Sequence, residues 1–177
     1  MHAKIKDYRI VHTKEQKFIA LTGSFRNERI DVGCNQDIPD FWDECHAKNL
    51  IEPIRNFRPE GKRDLYGLCS PAKEGEDTFE YGIGIMIDEE TMDFDMDEMK
   101  KAGYCIWDVK PGTYVVFDCM GEDSDCISDA WSKFYREFLP RMGYEPEAET
   151  DYEIYFEKGR KGLFCELWIP VRKNQVQ

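Results

Sequence analysis

Apolar and polar positions alternate most cleanly near the C-terminus, over residues 162–171. Side chains on a strand point alternately to its two faces. Leu163, Cys165, Leu167, Ile169 and Val171 therefore make one wholly apolar face, and Phe164, Glu166 and Trp168 the other. A carboxylate set between two large aromatics is not what stability alone selects, because an ionised Glu there costs free energy unless it is paired or solvated. The same period-two reading predicts strands over residues 65–69, 79–87, 103–109, 113–119 and 152–157. It also predicts an extended segment over residues 7–25, with a polar bend near 13–17.

Helical periodicity appears twice. Residues 35–40 supply turn and cap residues with Pro39 suited to a first turn, and Phe41, Trp42, Cys45 and Leu50 then fall at helical spacing, with Pro53 as the limit. Ile127, Ala130, Trp131, Phe134, Tyr135, Phe138 and Leu139 share one broad face of a helix over about 127–142. Pro140 is expected to disturb its final turn and Gly143 to close it. Residues 88–101, dense in acids and Met, read as a connector with a short helix and lack the spacing of a calcium loop.

The two halves repeat. Ile38-Pro39-Asp40-Phe41-Trp42 echoes Ile127-Ser128-Asp129-Ala130-Trp131, and each helix is preceded by one strand and followed by two. The prediction is an α+β fold of duplicated β-α-β-β modules with pseudo-two-fold symmetry. It forms one domain over residues 1–177, with the first repeat at about 5–90 and the second at about 103–172. One helix cannot cover both faces of a three-stranded sheet, so pairing two modules leaves a shared central surface. Glu166 comes to that surface if Leu163, Cys165, Leu167 and Ile169 pack on the helices.

Composition narrows the function classes. The formal net charge of -12 argues against direct nucleic-acid binding, which needs clustered Lys and Arg, and is compatible with a cationic ligand. Seven cysteines, odd in number and without a C-x-x-C pair, read as reduced and mostly buried thiols of a cytoplasmic protein. The three histidines have no metal-ligand spacing, so a structural zinc site is not expected, and no cofactor is expected either. No apolar run approaches the roughly 20 residues of a membrane span, and the N-terminus has no apolar stretch of a signal peptide.

The strand "GTYVVFDCMG", the helix "ISDAWSKFYREFLPRMGYEP", the strand "DYEIYF" and above all the terminal "CELWIPV" resemble the gyrase-inhibitor-like (GyrI-like) small-molecule-binding domain, also called the effector-binding domain of bacterial transcription activators. The earlier "FEYGIGIMID" is similar to the matching strand of the first repeat. The resemblance implies a duplicated β-α-β-β fold whose central groove takes lipophilic, often cationic, aromatic compounds. It places a groove glutamate at Glu166, ringed by aromatics. Many members carry a DNA-binding helix-turn-helix; this chain starts at the first strand and so reads as a stand-alone version. Some stand-alone relatives hydrolyse cyclopropane-bearing genotoxins with a groove glutamate.

Glu166 is accordingly the leading candidate. It would neutralise a cation, with neighbouring rings adding about 0.5–2 kcal/mol each, or act in acid–base chemistry if partly desolvated. The bland alternative is a solvated Glu on the open face of an antiparallel sheet. Trp168 and Phe164 share its face. Tyr66 and Tyr81 are candidates from the first repeat. Tyr114 competes with Phe117, and Tyr152 with Tyr155, because the members of each pair have opposite parity. Trp107 sits at a groove mouth or packs as a loop residue. Trp42, Trp131 and Tyr135 fit a core stripe, and Gly82 and Gly84 mark a close approach within a strand. The expected function is binding of a lipophilic or cationic small molecule. The alternatives are a hydrolase of electrophilic xenobiotics with Glu166 as the catalytic carboxylate, and a module that sequesters a protein partner.

Overall fold

The computed structural model describes residues 8–26, 37–72, 75–88 and 95–175. Among these residues nine strands form one sheet in the order β1-β6-β9-β8-β3-β4-β2-β5, with β7 also on β9. The strands are β1 (Tyr8–Thr13), β2 (Gln16–Arg26), β3 (Leu65–Cys69), β4 (Thr78–Ile87), β5 (Tyr104–Val109), β6 (Gly112–Met120), β7 (Tyr144–Pro146), β8 (Asp151–Tyr155) and β9 (Leu163–Lys173). Every pairing is antiparallel. The duplicated module is present as expected: β2, helix α1 (Asp37–Ala47), β3 and β4 in one half, and β6, helix α4 (Asp125–Lys133), β8 and β9 in the other.

Two connections were not legible in the sequence. β1 does not pair with the β2 that follows it but crosses to β6, while β5 crosses to β2. Each repeat thus lends an edge strand to the other. The two halves meet at β3 and β8, where Gly67 lies opposite Glu153.

One face of the sheet is covered by helices. Cys45 of α1 and Ile51 and Ile54 of α2 (Ile51–Arg55) pack on Ile19, Leu21, Ile83 and Ile85. Cys126, Ile127, Ala130, Phe134 and Phe138 pack on Val115, Phe117, Cys119, Leu167 and Ile169. The chain bends after α1 at Asn49 (φ 52°), and Pro53 sits inside α2 rather than ending a helix. It occupies the first turn, where the missing N–H has no intrahelical partner to lose. The second long helix opens into a π-helical turn, Phe134–Phe138, before α5 (Leu139–Met142), and the Leu139 N–H donates to the Phe134 carbonyl. A proline ring clashes with the carbonyl four residues back, so Pro140 accounts for the widened turn over Arg136. Gly143 closes the helix in the left-handed region (φ 71°). The acidic connector contains α3 (Met96–Lys101), capped by the Asp95 side chain.

The other face carries no helix among the described residues, yet it is dry. Phe18, Tyr66, Leu68, Tyr114, Tyr152 and Ile154 form a third buried cluster there. Phe18 on β2 and Tyr152 on β8 lie three strands apart, about 14 Å on a flat sheet, but their ring centroids are 6.3 Å apart. Trp107 on edge strand β5 donates its indole N–H to Thr150 Oγ1 beside β8 at 3.2 Å. The sheet therefore curls into a trough, and its aromatic face folds towards itself.

Candidate functional site: an acidic, aromatic groove

Directly opposed residues on antiparallel strands share a face. The registers place Glu166 opposite Asp118 and Ile154, Trp168 opposite Val116 and Tyr152, and Arg9 opposite Val116. On the same face lie Tyr66, opposite Ile154, and Leu68, opposite Tyr152. Parity is thereby resolved in favour of Tyr114 over Phe117 and Tyr152 over Tyr155, whose excluded members pack towards the helices. Tyr152 is the hub of the trough. Its ring stacks on Trp168 (5.4 Å, 19°) and meets Tyr114 (5.2 Å) and Tyr66 (5.7 Å). Its hydroxyl donates to Gln16 Oε1 at 3.2 Å, while the Tyr114 hydroxyl donates to the Thr150 carbonyl at 3.0 Å. Burial raises the hydroxyl pKa of Tyr66, Tyr114 and Tyr152, with the Glu166 charge adding to the effect on Tyr66 and Tyr152. These hydroxyls stay protonated donors throughout the ordinary pH range.

Glu166 is 5% exposed, at the end of the trough next to Trp168. Both its oxygens are engaged: Arg9 Nη2 donates to Oε2 at 2.6 Å and Trp168 Nε1 to Oε1 at 3.2 Å. Arg160 stands 3.8 Å from Oε2, and both arginines also reach Asp118, at 3.6 and 3.3 Å. The cross-strand carboxylates Asp118 and Glu166 would repel if unaccompanied; the two guanidinium groups compensate them. Sequence reasoning missed Phe18, Arg9, Asp118 and Arg160. Alternation places Arg9 on one face of β1, but nothing local shows that β1 crosses to β6 and carries Arg9 to Glu166.

Of the residues expected in the groove, Glu166, Trp168, Tyr66, Tyr114, Tyr152 and Trp107 converge there, and Trp107 lies on a strand rather than in a loop. Phe164 and Tyr81 do not. The register slips between Cys119 and Met120, pairing them with Cys165 and Leu163, so Phe164 is left over in a β-bulge. The slip breaks its expected alternation, and Phe164 packs edge-on against Tyr155 (5.7 Å) on the helix side. Tyr81 is buried beneath α1, because β4 pairs with β2 and β3 in a register that aims Gly82 and Gly84, not Tyr81, into the trough. A Cβ on Gly82 would meet the Trp107 ring at 3.1 Å, and one on Gly84 the Ile19 carbonyl oxygen at 2.9 Å. The close packing expected at these glycines is what the structure shows.

Tyr81 instead belongs to a polar chain on the helix side of the seam. Trp42 Nε1 donates to the Tyr81 hydroxyl at 2.9 Å, and that hydroxyl donates to Glu153 Oε2 at 3.1 Å. Gly67 is required beneath them: a Cβ there would lie 2.1 Å from Glu153 Oε2 and 2.2 Å from the Tyr81 oxygen. Burial pushes the Glu153 carboxyl up to about 7, and raises Asp151 as well. Among the described residues no cluster of His, Cys, Asp and Glu is arranged to hold a metal, and no helix is long and apolar enough to cross a membrane.

A family model described as Cass2, integron-associated effector binding protein, matches residues 9–171. The chain belongs to this family. Its GyrI-like character, inferred above from the "CELWIPV" strand, is thereby established. Among solved structures it is similar to SAV2435, solved bound to tetraphenylphosphonium, with a TM-score of 0.72 and 17% identity over 93% of each chain. It is more distantly similar to a hydrolase from Listeria innocua, with a TM-score of 0.50 and 11% identity over 97% of this chain and 94% of that one. Both likenesses speak to the fold alone. A curated DNA gyrase inhibitor from Yersinia enterocolitica is 33% identical over 69 residues, 38% of this chain and 43% of that protein. The match thus spans less than half of the relative's length.

Proposed function

We propose that the chain is an effector-binding module whose trough takes a lipophilic aromatic cation against Glu166. The observation that carries this reading is a carboxylate only 5% exposed beside a continuous set of rings, Trp168, Tyr152, Tyr114 and Tyr66. A buried anion rewards a cation that brings its own apolar surface, and each ring face adds about 0.5–2 kcal/mol of cation–π attraction. Trp168, partly exposed and stacked on Tyr152, presents the ring against which a flat ligand ring would pack. Tetraphenylphosphonium, the compound bound to SAV2435, is the natural probe.

The test is titration with tetraphenylphosphonium, followed by quenching of tryptophan fluorescence. Saturable binding is expected for the wild type, weakened at least tenfold in Glu166→Gln. Absence of saturation, or equal affinity for both proteins, would sink the proposal.

A hydrolytic reading would use the same carboxylate to activate water. Its support is the fold shared with the Listeria protein. Binding is the better reading, because Glu166 already pairs with a cation, Arg9, and borders a wall of contiguous rings, which suits exchange of one cation for another. Turnover of a cyclopropane-bearing electrophile that is lost in Glu166→Gln would reverse this preference. Sequestration of a protein partner draws only on the partial likeness to the gyrase inhibitor; stoichiometric capture of a macromolecule would favour it.

A further inference from the structure

We propose that Arg9 is a resident counter-cation that sets the selectivity of the groove: a cationic ligand reaches Glu166 only by displacing the Arg9 guanidinium. The inference rests on the binding function proposed above and concerns which cations succeed.

Three observations lead to it. First, Arg9 already occupies Glu166, with Nη2 at 2.6 Å from Oε2. Its side chain is 50% exposed, whereas that of Glu166 is 6% exposed, so one partner is wet and the other dry. Arg9 also lies on an edge strand whose sole sheet neighbour among the described residues is β6. Swinging it into water breaks the pair but no sheet hydrogen bond. A displaced Arg9 is not stranded either, because Asp118 stands 3.6 Å from its Nη1.

Second, a cavity of about 530 Å³ lies at this edge of the sheet, between β6 and α4, lined by Tyr8, Arg9, Phe117, Asp118, Cys126 and Lys133 among others. Glu166 is not part of its lining, whereas Arg9 both lines it and holds the carboxylate. Arg9 therefore has open space beside it, into which its guanidinium can swing away from Glu166.

Third, the pair is not a requirement of the duplicated fold. Superposing the repeats through the central Gly67–Glu153 pairing matches Glu166 with Gly82, Asp118 with Thr22 and Arg9 with Cys105. The first half builds the same sheet without any of these charges. They are concentrated at one end of the trough, where the buried carboxylate lies.

Exchange of one cation for another on Glu166 gains little by charge alone. A small cation without apolar surface, such as guanidinium or a polyamine, offers nothing that Arg9 does not already supply from the same chain. A bulky cation with delocalised charge adds burial of aromatic surface against Tyr152 and Trp168, and that term tips the exchange. Arg9 thus makes the groove respond to lipophilic cations and ignore hydrophilic ones.

The test compares wild type, Arg9→Ala, Arg9→Lys and Glu166→Gln by calorimetric titration with tetraphenylphosphonium, neutral triphenylphosphine oxide and guanidinium. Arg9→Ala is expected to bind tetraphenylphosphonium at least tenfold more tightly than wild type. Its affinity for the neutral compound should stay within twofold, and guanidinium binding should become measurable. Arg9→Lys, which keeps a positive charge on the strand, should stay closer to wild type than Arg9→Ala does. In the wild type, the Nε–Hε resonance of Arg9 should move to a solvent-like position on saturation with tetraphenylphosphonium. Equal or weaker binding of tetraphenylphosphonium by Arg9→Ala, or an Arg9 resonance unmoved by saturation, overturns the inference. If that happens while binding still depends on Glu166, the binding function stands and only the role of Arg9 falls. If neither wild type nor Arg9→Ala binds the cation, both fall.

Discussion

Glu153 ties protein stability to pH in a direction opposite to that of an ordinary paired carboxylate. It sits at the seam between the repeats, covered by Trp42 and Tyr81 on one side, with Asp151 and Tyr155 on the same face of its own strand. Burial pushes its pKa from an ordinary 4.5 to about 7, against the lowering effect of the Tyr81 hydrogen bond. The folded chain therefore binds a proton here more tightly than the unfolded chain does. This contribution to stability is fully present below about pH 4.5, declines as pH rises, and is lost above about 7. The gap corresponds to roughly 3 kcal/mol. Glu153→Gln removes the titration while keeping an oxygen to accept the Tyr81 hydroxyl. The variant should match the wild type near pH 4.5 and exceed its stability by up to roughly 3 kcal/mol at pH 8. Asp151 is raised by burial with the same sign and remains in both proteins, so the difference between their curves isolates Glu153, apart from the Coulomb relief it gives Asp151. Urea denaturation followed by far-ultraviolet circular dichroism at pH 4.5, 6 and 8 measures it. A difference curve flat across that window, or a variant less stable at pH 8, refutes the reasoning.

Gly67→Ala should destabilise the fold at the upper end of the about 1–3 kcal/mol typical of overpacking, because the new methyl would overlap both Glu153 and Tyr81; thermal unfolding reads it. Tyr114→Phe removes the buried hydrogen bond to the Thr150 carbonyl and should cost about 1 kcal/mol in chemical denaturation. Trp168→Ala deletes the ring stacked on Tyr152 and the indole N–H on Glu166; tetraphenylphosphonium affinity should fall about tenfold, the loss of roughly one good ring contact. Affinity unchanged in that variant would mean that Trp168 is not part of the ligand wall.

Much of the architecture was readable because it rests on local periodicity. The stripe from Ile127 to Leu139 and the alternation from Cys165 to Val171 each bury one face whatever the partner, so element type and order follow directly. Glu166 stood out for the same reason: a carboxylate interrupts an apolar pattern. Phe164 shows the limit of the method. Its parity was sound as far as the strand is regular, but the bulge opposite Met120 turned it to the helix side. Tyr81 failed differently, since both faces of β4 are buried and alternation then has no polar side to mark orientation.

The amino-acid pattern by itself determined that two β-α-β-β units would pair, that their helices would take one face, and that Glu166 and Trp168 would take the other. The tertiary structure alone decided how strongly the sheet curls, which brings Phe18 within ring contact of Tyr66 and near Tyr152. It also decided that β1 exchanges to the far repeat and sets Arg9 on Glu166. The physical reason is range: periodicity records which side of an element avoids water, whereas curvature and strand exchange depend on contacts between residues more than a hundred positions apart.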